Sequence, residues 1–96
     1  MTHAPEVRLD REASRFETLT AAGKAVLKFA MAGDTIDLQH TSVPHALEGG
    51  GYGSALARAA LDYARTNQLK VIPTCTFVRA FMQRHKEYDD LRVTKT

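Results

Sequence analysis

The stretch VPHALEGGGYGSA, Val43 to Ala55, decides how this chain is read. A strand-like run ends at Val43 and Pro44, glycines follow at 49, 50, 51 and 53, and an alanine- and leucine-rich helical pattern begins at once. Glycine lets the backbone take positive φ and come close to a ligand. A helix opening straight after such a cluster presents unpaired N–H groups and the positive end of its dipole. The order strand, glycines, helix therefore predicts a cradle for phosphate or pyrophosphate. A glycine cluster by itself also suits a mobile, empty loop; its place between a strand and a helix favours the cradle.

Upstream of the cradle the pattern is an antiparallel meander. Val7 and Leu9 alternate with Arg8 and Asp10, a short strand signal. A second strand runs from Ser14 to Thr20, with Phe16 and Thr18 on one face and Glu17 and Leu19 on the other. Gly23 supplies the hairpin turn, and a third strand alternates Leu27, Phe29 and Met31 with Lys28 and Ala30. Gly33 and Asp34 make the next turn, and Thr35 to Val43 is a fourth strand with Ile36, Leu38 and His40 expected on one face.

Downstream the period changes. Leu56, Ala59, Ala60, Tyr63 and Ala64 recur at helical spacing against Ser54, Arg58, Asp62 and Arg65. Asn67 is expected to close this helix in the left-handed conformation. Lys70 to Ile72 is then a short strand ending at Pro73, and a strand, helix, strand crossover places it parallel to the fourth. A second helix is signalled by Phe77, Val78, Phe81 and Met82 against Arg79, Gln83 and Lys86, with Thr76 as its expected N-cap and Phe77 and Phe81 expected in the core. The tail is polar, with Tyr88 and Leu91 as its anchors.

The 96 residues are 44% hydrophobic and 25% charged, enough for one domain with one modest core. Residues 6–92 are read as that domain, with 1–5 a disordered N-terminus and 93–96 a flexible tail. The net charge of +2 is spread along the chain without a dense basic block, so no nucleic-acid partner is expected. No apolar run approaches membrane-spanning length and no signal-peptide pattern opens the chain, so a cytoplasmic protein without a membrane partner is expected. One cysteine, Cys75, and four scattered histidines argue against an internal disulfide and against zinc.

Two common owners of a glycine cradle are excluded. No lysine followed by Ser or Thr stands where a P-loop needs it. In a Rossmann site the glycines follow the first strand and several βαβ units come after, whereas here a meander comes first. What survives is a pyrophosphate loop after the fourth strand of an α+β fold.

With HTSVP (His40 to Pro44), GGGYGSAL (Gly49 to Leu56), LDYAR (Leu61 to Arg65), VIPTCTFV (Val71 to Val78) and RHKEYDDL (Arg84 to Leu91), the chain resembles a small branch of the GNAT-superfamily acetyltransferases. The resemblance runs from about Phe16 to Leu91. It implies a minimal GNAT-like α+β fold: a mixed, mostly antiparallel sheet of about five strands with two main helices. It also implies acetyl-coenzyme A as cofactor, its pyrophosphate on the backbone amides of Gly49, Gly50, Gly51, Tyr52, Gly53 and Ser54. Gly51 and Gly53 fit the last two glycine positions of the superfamily loop, Q/R-x-x-G-x-G/A, and Glu48 stands where relatives usually carry Arg or Gln. The fourth and fifth strands are implied to splay, with the pantetheine arm hydrogen-bonded along Ser42 and Val43 like an added strand. Pro44, lacking an N–H, suits the end of that ladder.

Cys75 lies just after a strand and just before a helix, where dipole and free amides favour thiolate; by itself a lone cysteine is more often a small buried hydrophobe. The resemblance implies a cysteine near the cofactor thiol, acting as an acetyl-accepting nucleophile or handling a proton. His40, on the strand leading to the cofactor, is either a general base that receives or orients the amine or a histidine bonded within the sheet. Arg58, Arg65 and His45 are read as solvated, and His85, Tyr88 and Asp90 as locking the tail onto the sheet. The reading is thus acetyl transfer to an amine, a lysine side chain or a small molecule, with Cys75 and His40 as candidate catalytic residues. A coenzyme A-binding module without catalysis, or an interaction domain with an empty loop, stays open.

Overall fold

Alternation along the first four strands sets the layers. The computed structural model describes residues 5–93; the ends expected to be disordered or flexible fall outside these, apart from Pro5 and Val93. Strands β1 (Arg8–Asp10), β2 (Arg15–Thr20), β3 (Gly23–Ala32) and β4 (Thr35–Ser42) pair antiparallel in sequence order, and β5 (Lys70–Ile72) joins parallel to β4. Cross-strand pairs Phe16 with Leu27, Thr18 with Ala25 and Phe29 with Leu38 present one face of the sheet to the helices. All six residues are buried. The five-stranded mixed sheet with two α-helices is the architecture the sequence predicts.

Parallel pairing of β4 and β5 requires a crossover, and helix α1 (Tyr52–Thr66) provides it. Its inner stripe, Leu56, Ala57, Ala60, Leu61 and Ala64, has no exposed surface. Three alanines in that stripe let the helix backbone lie close over β2, β3 and β4. Helix α2 (Thr76–Arg84) packs Val78, Phe81 and Met82 into the same core, against β4 and α1. Both α-helices thus build on one face of the sheet.

Three local expectations are corrected. Between Lys28 paired with His40 and Phe29 paired with Leu38, residue Gln39 is extra, a β-bulge in β4. One inserted residue inverts the alternation beyond it. His40 therefore leaves the face of Ile36 and Leu38, and Thr41, opposite Leu27, takes the inward place. Asn67 closes α1 with φ −100° and a side-chain bond from Nδ2 to the Tyr63 carbonyl at 2.8 Å; the left-handed residue is Gln68 at φ 56°. The N-cap of α2 is Cys75, with no side-chain cap bond, so Thr76 is already helical.

The tail docks on α1 as much as on the sheet. A 3₁₀ segment, Lys86–Leu91, buries Tyr88 and Leu91. The Tyr88 hydroxyl donates to Asp62 Oδ1 at 2.7 Å and accepts from Arg58 at 3.3 Å. Arg65 grips both Asp90 carboxylate oxygens, at 3.0 and 3.1 Å, and the Glu87 carbonyl at 2.6 Å. That guanidinium holds the Asp90 carboxyl below its usual range. His85 stacks on Phe81 with ring centroids 4.1 Å apart. Arg58 and Arg65, expected to be solvated, are tail anchors. Beyond them the Val93 amide bonds the Val71 carbonyl at 2.9 Å, so the chain reaches β5 after crossing the helix. Replacing Tyr88 with Phe removes a part-buried bond to a carboxylate and should cost about 1 kcal/mol. Thermal unfolding followed by circular dichroism should then show a midpoint roughly 4–8 °C lower.

Candidate functional site

The ladder between β4 and β5 is short. It pairs Thr35, Ile36 and Asp37 with Lys70, Val71 and Ile72, and then Pro73 turns the chain away. One further bond, from the Cys75 amide to the Leu38 carbonyl at 2.8 Å, crosses the widening gap. Beyond it, His40 to Ser42 pair with β3 on one side and with no strand on the other.

A cavity of about 500 Å³ opens where that free edge meets the glycine loop. Thr41 and Val43 supply the strand side, Leu47, Glu48, Gly49 and Gly51 the loop, Tyr52, Gly53 and Ser54 the first turn of α1, and Phe77 the start of α2. Of the residues the sequence singled out, the fold brings Val43, Gly49, Gly51, Tyr52, Gly53 and Ser54 to one cavity wall. Gly50 and Ser42 do not line it, and Cys75 lies behind Thr41, which does. His40 does not reach it: with Ser42 it lines a separate basin on the other face of the sheet, together with Arg15, Val26 and Lys28.

The start of α1 carries no internal compensation for its dipole. Its N-cap, Gly51, sits in the left-handed region at φ 83°, no side chain caps the helix, and no acidic residue lies in the first turn. Ala55 N–H, bonded to the Gly51 carbonyl at 3.0 Å, is the first amide of the turn with a helical partner. The amides of Tyr52, Gly53 and Ser54 therefore face the cavity as free donors. Gly53 has a different purpose: a Cβ there would stand 2.8 Å from the Phe77 ring. Phe77, expected in the core, is 37% exposed and lies across this first turn as a cavity wall. A glycine inside a helix disfavours it by about 1 kcal/mol relative to alanine, and that cost was the available signal that another group approaches closely here. Thr41, missed with it, left no signal, because its position depends on the bulge.

Glu48 lines the cavity, yet its Oε1 lies 3.1 Å from His45 Nδ1, both side chains being exposed. The carboxylate that opposes an anion thus has a partner three residues back that neutralises it when the imidazole is protonated.

Cys75 is 7% exposed, with Sγ 3.2 Å from Thr41 Oγ1. Burial pushes the thiol up, but the Thr41 hydroxyl and the Val78 and Phe77 amides at the start of α2 outweigh it, so the thiol titrates below an ordinary cysteine. Thr41 therefore joins two regions: it bonds the sulfur and borders the cavity. Among the described residues, no cluster of three His, Cys, Asp or Glu could hold a metal ion, and no helix is long and apolar enough to cross a membrane.

A free strand edge, unpaired amides at a helix start and a wall of Val43, Leu47, Tyr52 and Phe77 suit a long ligand with an amide-bearing arm and an anionic end. The sequence agrees: a profile of the GCN5-related N-acetyl-transferase family matches residues 15–91, and the chain belongs to that family. Its members transfer acetyl groups, as a class from acetyl-coenzyme A to amines. Among curated proteins, the chain is similar to Protein NATD1 of Gallus gallus, 38% identical over 82 residues, covering 81% of this chain and 74% of that protein. Protein NATD1 of Xenopus tropicalis is 39% identical over 61 residues, 62% of this chain and 56% of that protein. The match to the latter thus spans little more than half of the relative's length. In three dimensions the fold matches the solution structure of a GCN5-like protein from Staphylococcus aureus with TM-score 0.73, covering 95% of this chain and 90% of that one at 24% identity.

Two outcomes follow from this geometry. Gly53→Ala should leave the melting temperature within a few degrees, since helix propensity gains about what the displaced Phe77 ring loses, while binding of coenzyme A, measured by calorimetry, weakens several-fold. Alkylation of Cys75 by iodoacetamide should rise with pH at a midpoint below that of free cysteine, because thiolate forms early, and Thr41→Val should move that midpoint up.

Proposed function

We propose that this domain is an acetyl-coenzyme A-dependent N-acetyltransferase that uses the cavity between β4 and α1. The observation that carries the reading is the meeting, in one cavity, of a free β4 edge with the uncapped start of α1. The amides of Gly49 and of Gly51 to Ser54 would hold the pyrophosphate, the Gly50 amide being engaged by the Leu47 carbonyl at 3.2 Å, and the backbone of Ser42 and Val43 would hydrogen-bond the pantetheine arm along the free edge. Phe77, Tyr52 and Leu47 exclude water from the arm. Bound there, acetyl-coenzyme A supplies a thioester whose carbonyl carbon exchanges its bond to sulfur for one to the acceptor nitrogen, with the amine proton passing to a base.

His40 and Cys75 divide what remains. His40 emerges on the far side of β4 from the cavity, so its imidazole is available to take a proton from an amine arriving there. Cys75, low-titrating and bonded to Thr41, stands behind that residue at the cavity wall, where its sulfur either takes the acetyl group or holds a proton in place. The amine acceptor is a lysine side chain or a small amine, and the domain works in the cytoplasm.

Intact mass separates the two roles of the cysteine. Incubation with acetyl-coenzyme A followed by an acid quench should give a protein adduct of one acetyl group, absent in Cys75→Ser. Calorimetric binding of coenzyme A with no adduct, and unchanged amine acetylation by Cys75→Ser, would sink the covalent route. No binding at all would sink the proposal.

A further inference from the structure

The face of the sheet away from the helices carries charge that the cavity does not use. Register places Arg8 and Asp10 of β1, Arg15, Glu17 and Leu19 of β2, Lys24, Val26 and Lys28 of β3, and His40 and Ser42 of β4 on this face. Neither α-helix packs on it. Its one central acid, Glu17, is 4% exposed and already held by Arg15 at 3.0 Å and Lys24 at 3.9 Å. Asp10 accepts from the Ala13 amide within its own turn. Asp37, further along β4, accepts from the Thr74 hydroxyl. Among the described residues, Arg8 and Lys28 have no carboxylate within ion-pair distance. Arg15, Lys28 and His40 surround a basin of about 290 Å³ floored by Val26 and Ser42.

This basin and the cavity lie back to back. Thr41 and Val43 look into one, His40 and Ser42 into the other, and the edge of β4 between them has no strand beside it. A side chain entering past His40 therefore reaches the same backbone edge from the opposite side, without displacing anything in the cavity. The cations run from β1 to β3 and His40 follows on β4, about 14 Å from first to last at the usual strand spacing, which is longer than one small molecule and matches an extended peptide of four or five residues.

We propose that this face is the acceptor side of the domain and takes an acidic peptide segment carrying a lysine, the lysine entering at His40 and its acidic neighbours lying on Lys28, Arg15 and Arg8. The inference rests on the reading of the cavity as the acetyl-donor site for its purpose, but not for its binding test. Charge complementarity carries it: Arg8 and Lys28, which have no carboxylate partner among the described residues, and Arg15, shared with Glu17, select acidic flanks and repel basic ones.

The test uses the full chain with coenzyme A present and three nine-residue peptides, each with one central lysine, flanked by Asp and Glu, by Ser and Gly, or by Arg. Amide shifts of nitrogen-15-labelled protein report binding and its place, and thiol release with acetyl-coenzyme A reports transfer. The acidic peptide should move the amides of Val26, Lys28, His40 and Ser42 and bind about ten-fold more tightly than the Arg-flanked one at low salt, the gap closing as salt is raised. Lys28→Glu, at an exposed site, should keep the wild-type melting temperature and reverse the order. Equal binding of the three peptides, or shifts elsewhere on the surface, overturns the inference. Acidic preference in binding with no transfer to any peptide supports the docking face and sinks the acetyltransferase reading; transfer to all three at equal rates does the reverse.

Discussion

One hydrogen bond, from the Cys75 amide to the Leu38 carbonyl, marks where this sheet stops being a sheet. Three residue pairs join β4 to β5 before it and none after it. Proline at 73 lacks the N–H that would extend the ladder, so the fifth strand has to leave. The departure leaves the outer half of β4 with a row of peptide groups on offer, and it carries Cys75 to the start of α2 and up against Thr41. A longer β5 would close the edge, fill the cavity and move the thiol; the rest of the molecule holds this opening at a fixed width.

The bulge at Gln39 works with that opening. Without the extra residue, His40 would continue the inward row of Ile36 and Leu38, and Thr41 would face away from Cys75. With it, a threonine bonds the sulfur and borders the cavity, and a histidine emerges on the open face. A single inserted residue thus gives the two sides of one strand edge different chemistry.

Strand order, the parallel fifth strand and both helices were legible because they rest on period and punctuation: the alternation of Phe16 with Glu17, the four-residue recurrence of Leu56, Ala60 and Ala64, Gly23 and Pro73 at turns. The glycine loop was legible for the same reason, as glycines between a strand and a helix have few purposes. What stayed hidden depended on register or on distant contact. Nothing around Gln39 announces a bulge, so the face of His40 was inverted and the inward place of Thr41 was missed. Phe77 has the same spacing to Phe81 that core residues have, and only the glycine it lies on in α1 tells it apart. Arg58 and Arg65 look solvated on a helical wheel, since the tail residues that engage them lie 22 to 30 positions away.

The segment that crosses α1 reaches β5, where Val93 bonds Val71 and Arg92 bridges to the same residue. A three-residue strand at the margin of a sheet offers unpaired peptide groups to any passing chain, and such margins are where sheets of separate molecules join end to end. By covering that margin with Arg92 and Val93, and by fastening the segment before them through Arg65 and Tyr88 to a helix, the chain removes a template for self-association. The opening on β4 can then stay available for a ligand while the neighbouring strand is closed to other chains.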